Sequence, residues 1–110
     1  MIGKIEPKDI GDSYLTNPKI KILDVRQPEE FQEIRAKDAK LLPLGEVNRA
    51  AVEELLELKD GDEVYVICRS GKRSMTACQI LENEGMTNSL FNIEGGTISW
   101  AEGGFSVEKN

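Results

Sequence analysis

The segment Cys68-Arg69-Ser70-Gly71-Lys72-Arg73-Ser74 places a thiol, a glycine, two hydroxyls and three cationic side chains in consecutive positions. The rest of the chain leans the other way. It has 20 Asp and Glu against 14 Lys and Arg, a net charge of -6, yet no acid falls between Val64 and Leu81. Basic charge gathered around one cysteine in an acidic protein fits a thiolate nucleophile and an anionic reactant. A free thiol with a pKa of about 8.5 is only about 3% ionised at pH 7, whereas lowering that value by about two leaves it about three-quarters ionised. The difference is about 2.7 kcal/mol, within reach of a few charge-assisted hydrogen bonds. Such bonds arise if Cys68 ends a strand and the residues after it open a helix, whose first amides have no helical partner. Gly71 then gives the loop the freedom to turn its N–H groups inward as an anion nest. Each feature alone has an ordinary explanation, a small buried side chain for the cysteine and a solvated surface for the basic loop. Their coincidence favours a reactive site.

Such a loop needs a strand before it and a helix behind it. Val64–Ile67 reads as that strand, four β-favouring residues following the Asp60-Gly61-Asp62 turn, with Cys68 as its last residue. From Lys72 onward, Met75, Ala77, Cys78, Ile80 and Leu81 form a broad apolar helical face, closed by Glu82-Asn83-Glu84-Gly85. Elsewhere the same alternation recurs. Glu6–Leu15 reads as a short helix opened by Pro7 and ended by Asn17-Pro18. Ile20–Val25 reads as a buried strand, and Pro28-Glu29-Glu30 as a helix start anchored by Phe31. Lys40–Leu42 is a short strand stopped at Pro43, and Val47, Ala51, Val52, Leu55 and Leu58 fall at helical spacing. Leu90–Ile93 is one more strand, followed by Gly95-Gly96 and a short helix around Trp100 that Gly103-Gly104 closes. Alternating strands and helices imply an α/β fold with a parallel sheet, and ligands in such sheets bind at the carboxyl ends of strands.

A chain of 110 residues fits one domain, residues 1–110. Its net charge argues against nucleic acid or anionic membranes as partners. The start, MIGKIEPKDI, has no apolar targeting core, and the longest apolar run, Val64–Cys68, is far too short to span a bilayer, so a cytoplasmic location is expected. The two cysteines match neither a zinc spacing nor a CxxC pair, and histidine is absent; no metal or cofactor is expected. Cys78 sits about five residues into its helix, about 7.5 Å of rise beyond the loop, which makes it a core side chain rather than a resolving thiol. Trp100 is read as core as well. A cysteine phosphatase or arsenate reductase is the less favoured chemistry. Those enzymes place arginine after five intervening residues, where this sequence has Ser74, with Arg73 one position earlier, so the ring is tighter and suits a smaller target.

Four stretches, in this order, resemble single-domain rhodanese sulfurtransferases: ILDVRQPEEF at Ile22–Phe31, CRSGKRS at Cys68–Ser74, the strand region Gly85–Ile93, and EGGTISW at Glu94–Trp100. The resemblance runs over about residues 5–107. It implies a rhodanese-like three-layer α/β/α fold with a five-stranded parallel sheet, and a sulfur transfer in two steps. Cys68 would take the outer sulfur of an anionic donor, thiosulfate or a polysulfide, as a persulfide and pass it to a thiol or cyanide, with a protein acceptor also open. In that scheme Arg73 would stabilise the persulfide or the donor's oxygens, and Arg69 and Lys72 would steer anions. The amides from Arg69 to Arg73 would form the cradle, with Ser70, Gly71 and Ser74 completing the loop. Asp24 and Arg26, from the DVR motif, would support the site without reacting. One departure stands out. Where relatives carry a Gly-His-Ile-Pro-Gly-Ala type segment, this chain has Ile34, Arg35, Ala36, Lys37 and Asp38 before Ala39, so the family histidine is missing and Arg35 is read as facing solvent. The rival class is a rhodanese-like module that carries or senses sulfur, or only docks a partner.

Overall fold

The computed structural model describes residues 2–110. Five parallel strands form the central sheet: β1 (Ile2–Ile5), β2 (Ile20–Asp24), β4 (Lys40–Leu41), β5 (Glu63–Ile67) and β6 (Ser89–Ile93), in the order β1-β6-β5-β2-β4. The most apolar strands occupy the middle. β5 pairs with β2 from Ile20↔Glu63 to Asp24↔Ile67 and with β6 from Glu63↔Ser89 to Val66↔Asn92. Val64, Val66 and Ile67 are fully buried because helices cover both faces.

One face carries α3 (Arg49–Leu56) and α4 (Lys72–Asn83), where Val52, Leu56, Ala77, Cys78 and Leu81 pack on Leu23, Val64 and Val66. α3 begins where the Asn48 side chain accepts the Ala51 N–H at 2.8 Å, an N-cap that satisfies one free amide of the first turn. The other face carries α1 (Pro7–Ile10), α2 (Pro28–Glu33) and α5 (Gly96–Glu102), with Ile10, Tyr14, Phe31 and Trp100 packed on Ile22, Tyr65, Ile67 and Ile93. Three layers result. Cys78 and Trp100 are both fully buried, as core side chains should be, and the indole N–H donates to the Ser106 carbonyl at 2.8 Å.

Three elements differ from the sequence reading. The helix expected over Glu6–Leu15 is interrupted at Gly11, whose φ of 58° and ψ of -156° leave the helical region, and resumes as a 3-10 turn over Ser13–Thr16. β1 was not expected, because IGKI offers only two apolar side chains; its pairing with β6, from Ile2↔Leu90 to Ile5↔Ile93, comes from the neighbouring strand. A second sheet joins β3 (Ile34–Ala36) antiparallel to β7 (Val107–Lys109), two three-residue segments with too little pattern to read alone. Arg35 lies in that sheet and does not face solvent: it donates to the Phe31 carbonyl at 3.1 Å, stacks 4.9 Å from the Phe31 ring, and approaches Glu108 at 3.9 Å. Among the described residues, no helix is long and apolar enough to cross a membrane.

Candidate active site

β5 ends at Ile67, Cys68 follows it directly, and four residues later α4 begins. The loop therefore stands at the carboxyl end of the sheet's central strand, against the open end of a twelve-residue helix. Gly71 has φ 110°, a conformation that L side chains rarely adopt, and this turn brings its N–H to 3.0 Å from the Cys68 sulfur. The Ser74 hydroxyl lies 3.3 Å from the same sulfur. Cys68 is 1% exposed, so the thiol sits beneath the loop, with Arg69, Ser70 and Lys72 exposed above it.

Burial pushes the Cys68 thiol up, but hydrogen bonding by the Ser74 hydroxyl and the Ser74, Gly71 and Ser70 amides outweighs it, leaving the pKa below that of a free thiol. The amides are the dependable part of that balance. Ser74 has one hydroxyl proton, and its Oγ also donates in a short bond to Asn92 Oδ1, so sulfur and amide compete for it. Cys78 differs, its thiol pushed up to about 12 by burial and by Glu82. Alkylation by iodoacetamide, followed against pH, should therefore show one rapidly reacting thiol with a midpoint below that of a free cysteine. Only the thiolate reacts, so the rate falls as pH drops through that midpoint, and Cys68→Ser should remove the phase. A midpoint at or above the free-thiol value would contradict the role of the amides.

The remaining expected site residues divide into two groups. Asp24 and Arg26 are buried together at the end of β2. Asp24 accepts the Arg26 backbone N–H at 3.0 Å, and its carboxylate takes the guanidinium at 3.0 Å through Nε and 2.7 Å through Nη2. The guanidinium also donates to the Glu30 and Ile34 carbonyls at 3.3 and 2.7 Å, which fastens α2 and β3 to the sheet. Arg73 points to α2. Its two terminal nitrogens hold the two Glu30 oxygens at 2.8 and 2.9 Å, and this fork lowers the Glu30 pKa to about 2.

Three further residues shape the site and were not singled out from sequence. Asn92 donates to the Gly71 carbonyl at 3.1 Å and accepts the Ser74 hydroxyl, so one buried amide ties the middle of the loop to the start of α4, and it also donates to Glu94 at 2.9 Å. A polar residue inside the apolar strand Leu90–Ile93 was the available signal. Thr97 donates to the Cys68 carbonyl through its N–H at 2.8 Å and its hydroxyl at 3.0 Å. Gly96 makes that approach possible, because a methyl there would collide with the backbone of Cys68 and Arg69. Glu30, for which the sequence suggests only the role of a helix-start acid, is the third. Beside the loop lies a cleft of about 180 Å³ whose walls include Arg26, Glu30, Arg69, Thr97 and Ile98. A larger hollow of about 340 Å³ opens near the start of β2, around Pro18, Ile20 and Lys40, away from Cys68.

The model of the rhodanese-like domain matches residues 10–103. The chain belongs to the rhodanese-like family. The rhodanese-like chain is 32% identical over 100 residues to YtwF of Bacillus subtilis, a proposed sulfurtransferase, covering 90% of both chains. It is 34% identical over 85 residues to YrkF of the same organism, a proposed sulfur carrier protein, covering 77% of this chain but only 43% of that one. Among solved structures it matches a rhodanese-related protein of Thermoplasma volcanium with a TM-score of 0.74 and 29% identity, over 96% of this chain and 97% of the other. The three-layer α/β/α fold expected from sequence is the fold found.

Proposed function

We propose that this chain, acting as one rhodanese-like domain in the cytoplasm, is a sulfurtransferase that carries sulfane sulfur on Cys68. The observation that carries the reading is the Cys68 sulfur held 3.0 Å from the Gly71 amide at the mouth of α4. The Cys68 thiolate attacks the outer sulfur of the donor, a Cys68–sulfur bond forms, and the donor's S–S bond breaks. Sulfite leaves thiosulfate with that electron pair; a polysulfide leaves one sulfur shorter. A thiol or cyanide then attacks the outer sulfur of the persulfide and returns Cys68 as thiolate. Each anion in the cycle falls within reach of the same amides, with Arg69 and Lys72 on the loop to attract it. Ser70, Gly71 and Ser74 shape the cradle, while Asp24 and Arg26 hold its support.

Similarity to YrkF favours a second reading, a carrier loaded and emptied by partner proteins. One experiment bears on both. Incubated with thiosulfate or inorganic polysulfide and weighed intact, the protein should gain about one sulfur atom, which cyanide removes. Cys68→Ser should stay unloaded and Cys78→Ala should load. Loading on Cys78, or none from any donor, would overturn the proposal. Loading without turnover to any small acceptor would favour the carrier.

A further inference from the structure

The positive charge that sequence places at this site is largely matched by acids in the fold. Arg26 is consumed by Asp24 and two carbonyls, and both terminal nitrogens of Arg73 are held by Glu30. The loop, its ion-pair partners and the adjoining cleft hold four cations, Arg26, Arg69, Lys72 and Arg73, and four carboxylates, Asp24 at the end of β2, Glu30 and Glu33 on α2, and Glu94 just after β6. Glu30 and Glu33 both border the cleft beside the loop. Part of the lining of that cleft is apolar. It includes Ala101 and Ile98, the one exposed large hydrophobic side chain among the described residues, 40% exposed.

Resting on the sulfur-transfer reading, we propose that Glu30 determines donor choice: by holding Arg73 it turns the site away from dianionic thiosulfate and toward hydropersulfides of small organic thiols, R–S–SH. Two independent features support this. An inorganic dianion would meet a rim with no net positive charge and two carboxylates on one side. It would also leave the Ile98 wall wet, whereas the carbon atoms of an organic thiol would cover it. The transfer balances without an added reductant or oxidant. The Cys68 thiolate attacks the outer sulfur of R–S–SH and the inner S–S bond breaks. R–S⁻ departs with the electron pair and takes the proton of the hydropersulfide, leaving Cys68 as a persulfide anion.

The test measures the rate of Cys68 loading by quenched intact mass spectrometry, with thiosulfate and with freshly generated cysteine hydropersulfide as the two donors. The wild-type protein should load at least about tenfold faster per molar from the hydropersulfide. Glu30→Gln should raise the thiosulfate rate about tenfold, the order expected when one unit charge is removed near a dianion at a solvated rim, and change the hydropersulfide rate by less than about threefold. Glu30→Gln combined with Arg73→Gln restores a neutral pair and should return the thiosulfate rate to the wild-type level. Glu33→Gln removes a charge from the same cleft but leaves the Arg73 fork untouched, and should raise the thiosulfate rate clearly less than Glu30→Gln does. Wild-type preference for thiosulfate, equal rates from both donors, no gain in a folded Glu30→Gln, or an equal gain in Glu33→Gln would overturn donor selection by Glu30 while leaving sulfur transfer intact. Absence of loading from both donors would remove the sulfur-transfer reading itself, and this one with it.

Discussion

Gly96→Ala is expected to destabilise the protein by about 3 kcal/mol or more and to slow sulfur loading on Cys68 at least about tenfold. A methyl at this position would lie 2.5 Å from the Arg69 carbonyl oxygen and nearer still to that of Cys68. Both are backbone atoms, so no side-chain rotation relieves the collision. The residue also has φ 57°, which adds conformational strain for any side chain. The chain must respond by moving α5 away from the loop, and that movement pulls the Thr97 N–H from the Cys68 carbonyl and the Ile98 N–H from that of Arg69, now at 2.8 and 3.2 Å. These bonds fix the peptide that carries the reactive residue, so stability and loading fall together. Gly104→Ala is the control. Gly104 has φ 76° but nothing within 4 Å of an added methyl, and alanine there should cost only about 1 kcal/mol with loading unchanged. Urea denaturation and the loading rate, measured on both variants, decide the matter; equal behaviour of the two would mean that close approach at Gly96 does not hold the loop.

The contrast between Gly96 and Glu30 explains what sequence could and could not convey. The glycine pair, the strand Val64–Ile67 and the helix from Lys72 are local features, each readable from a few adjacent residues, and together they place Cys68 at the carboxyl end of the central strand. The ion pair between Glu30 and Arg73 joins positions 43 apart, so only the fold reveals that a cation counted toward an anion site is already bound. The same holds for Asn92, whose two contacts to the loop span 18 and 21 residues. β1, β3 and β7 escaped for a related reason. Short edge segments take their conformation from partners, Ile2–Ile5 from β6 and Ile34–Ala36 from Val107–Lys109, and carry little pattern of their own.

Asp24→Ala should be among the most destabilising single substitutions outside the loop, by about 3–5 kcal/mol, because it strands a buried cation. Asp24 is 0% and Arg26 3% exposed, so once the carboxylate is gone the guanidinium keeps only the Glu30 and Ile34 carbonyls and has little water to replace what it lost. The cost comes from the orphaned charge more than from the lost attraction, since both groups gave up hydration to enter the core. A second variant separates these contributions. Asp24→Leu with Arg26→Met removes both charges and should recover at least about half of the stability lost by Asp24→Ala. It should not recover full loading activity, because Arg26 is also the tie between β2, the carbonyl of Glu30 and the start of β3. Urea denaturation gives the first quantity and the Cys68 loading rate the second. A loss below about 1 kcal/mol in Asp24→Ala would mean that water reaches Arg26, and full loading in the double variant would show that α2 is held beside the cysteine without this buried pair.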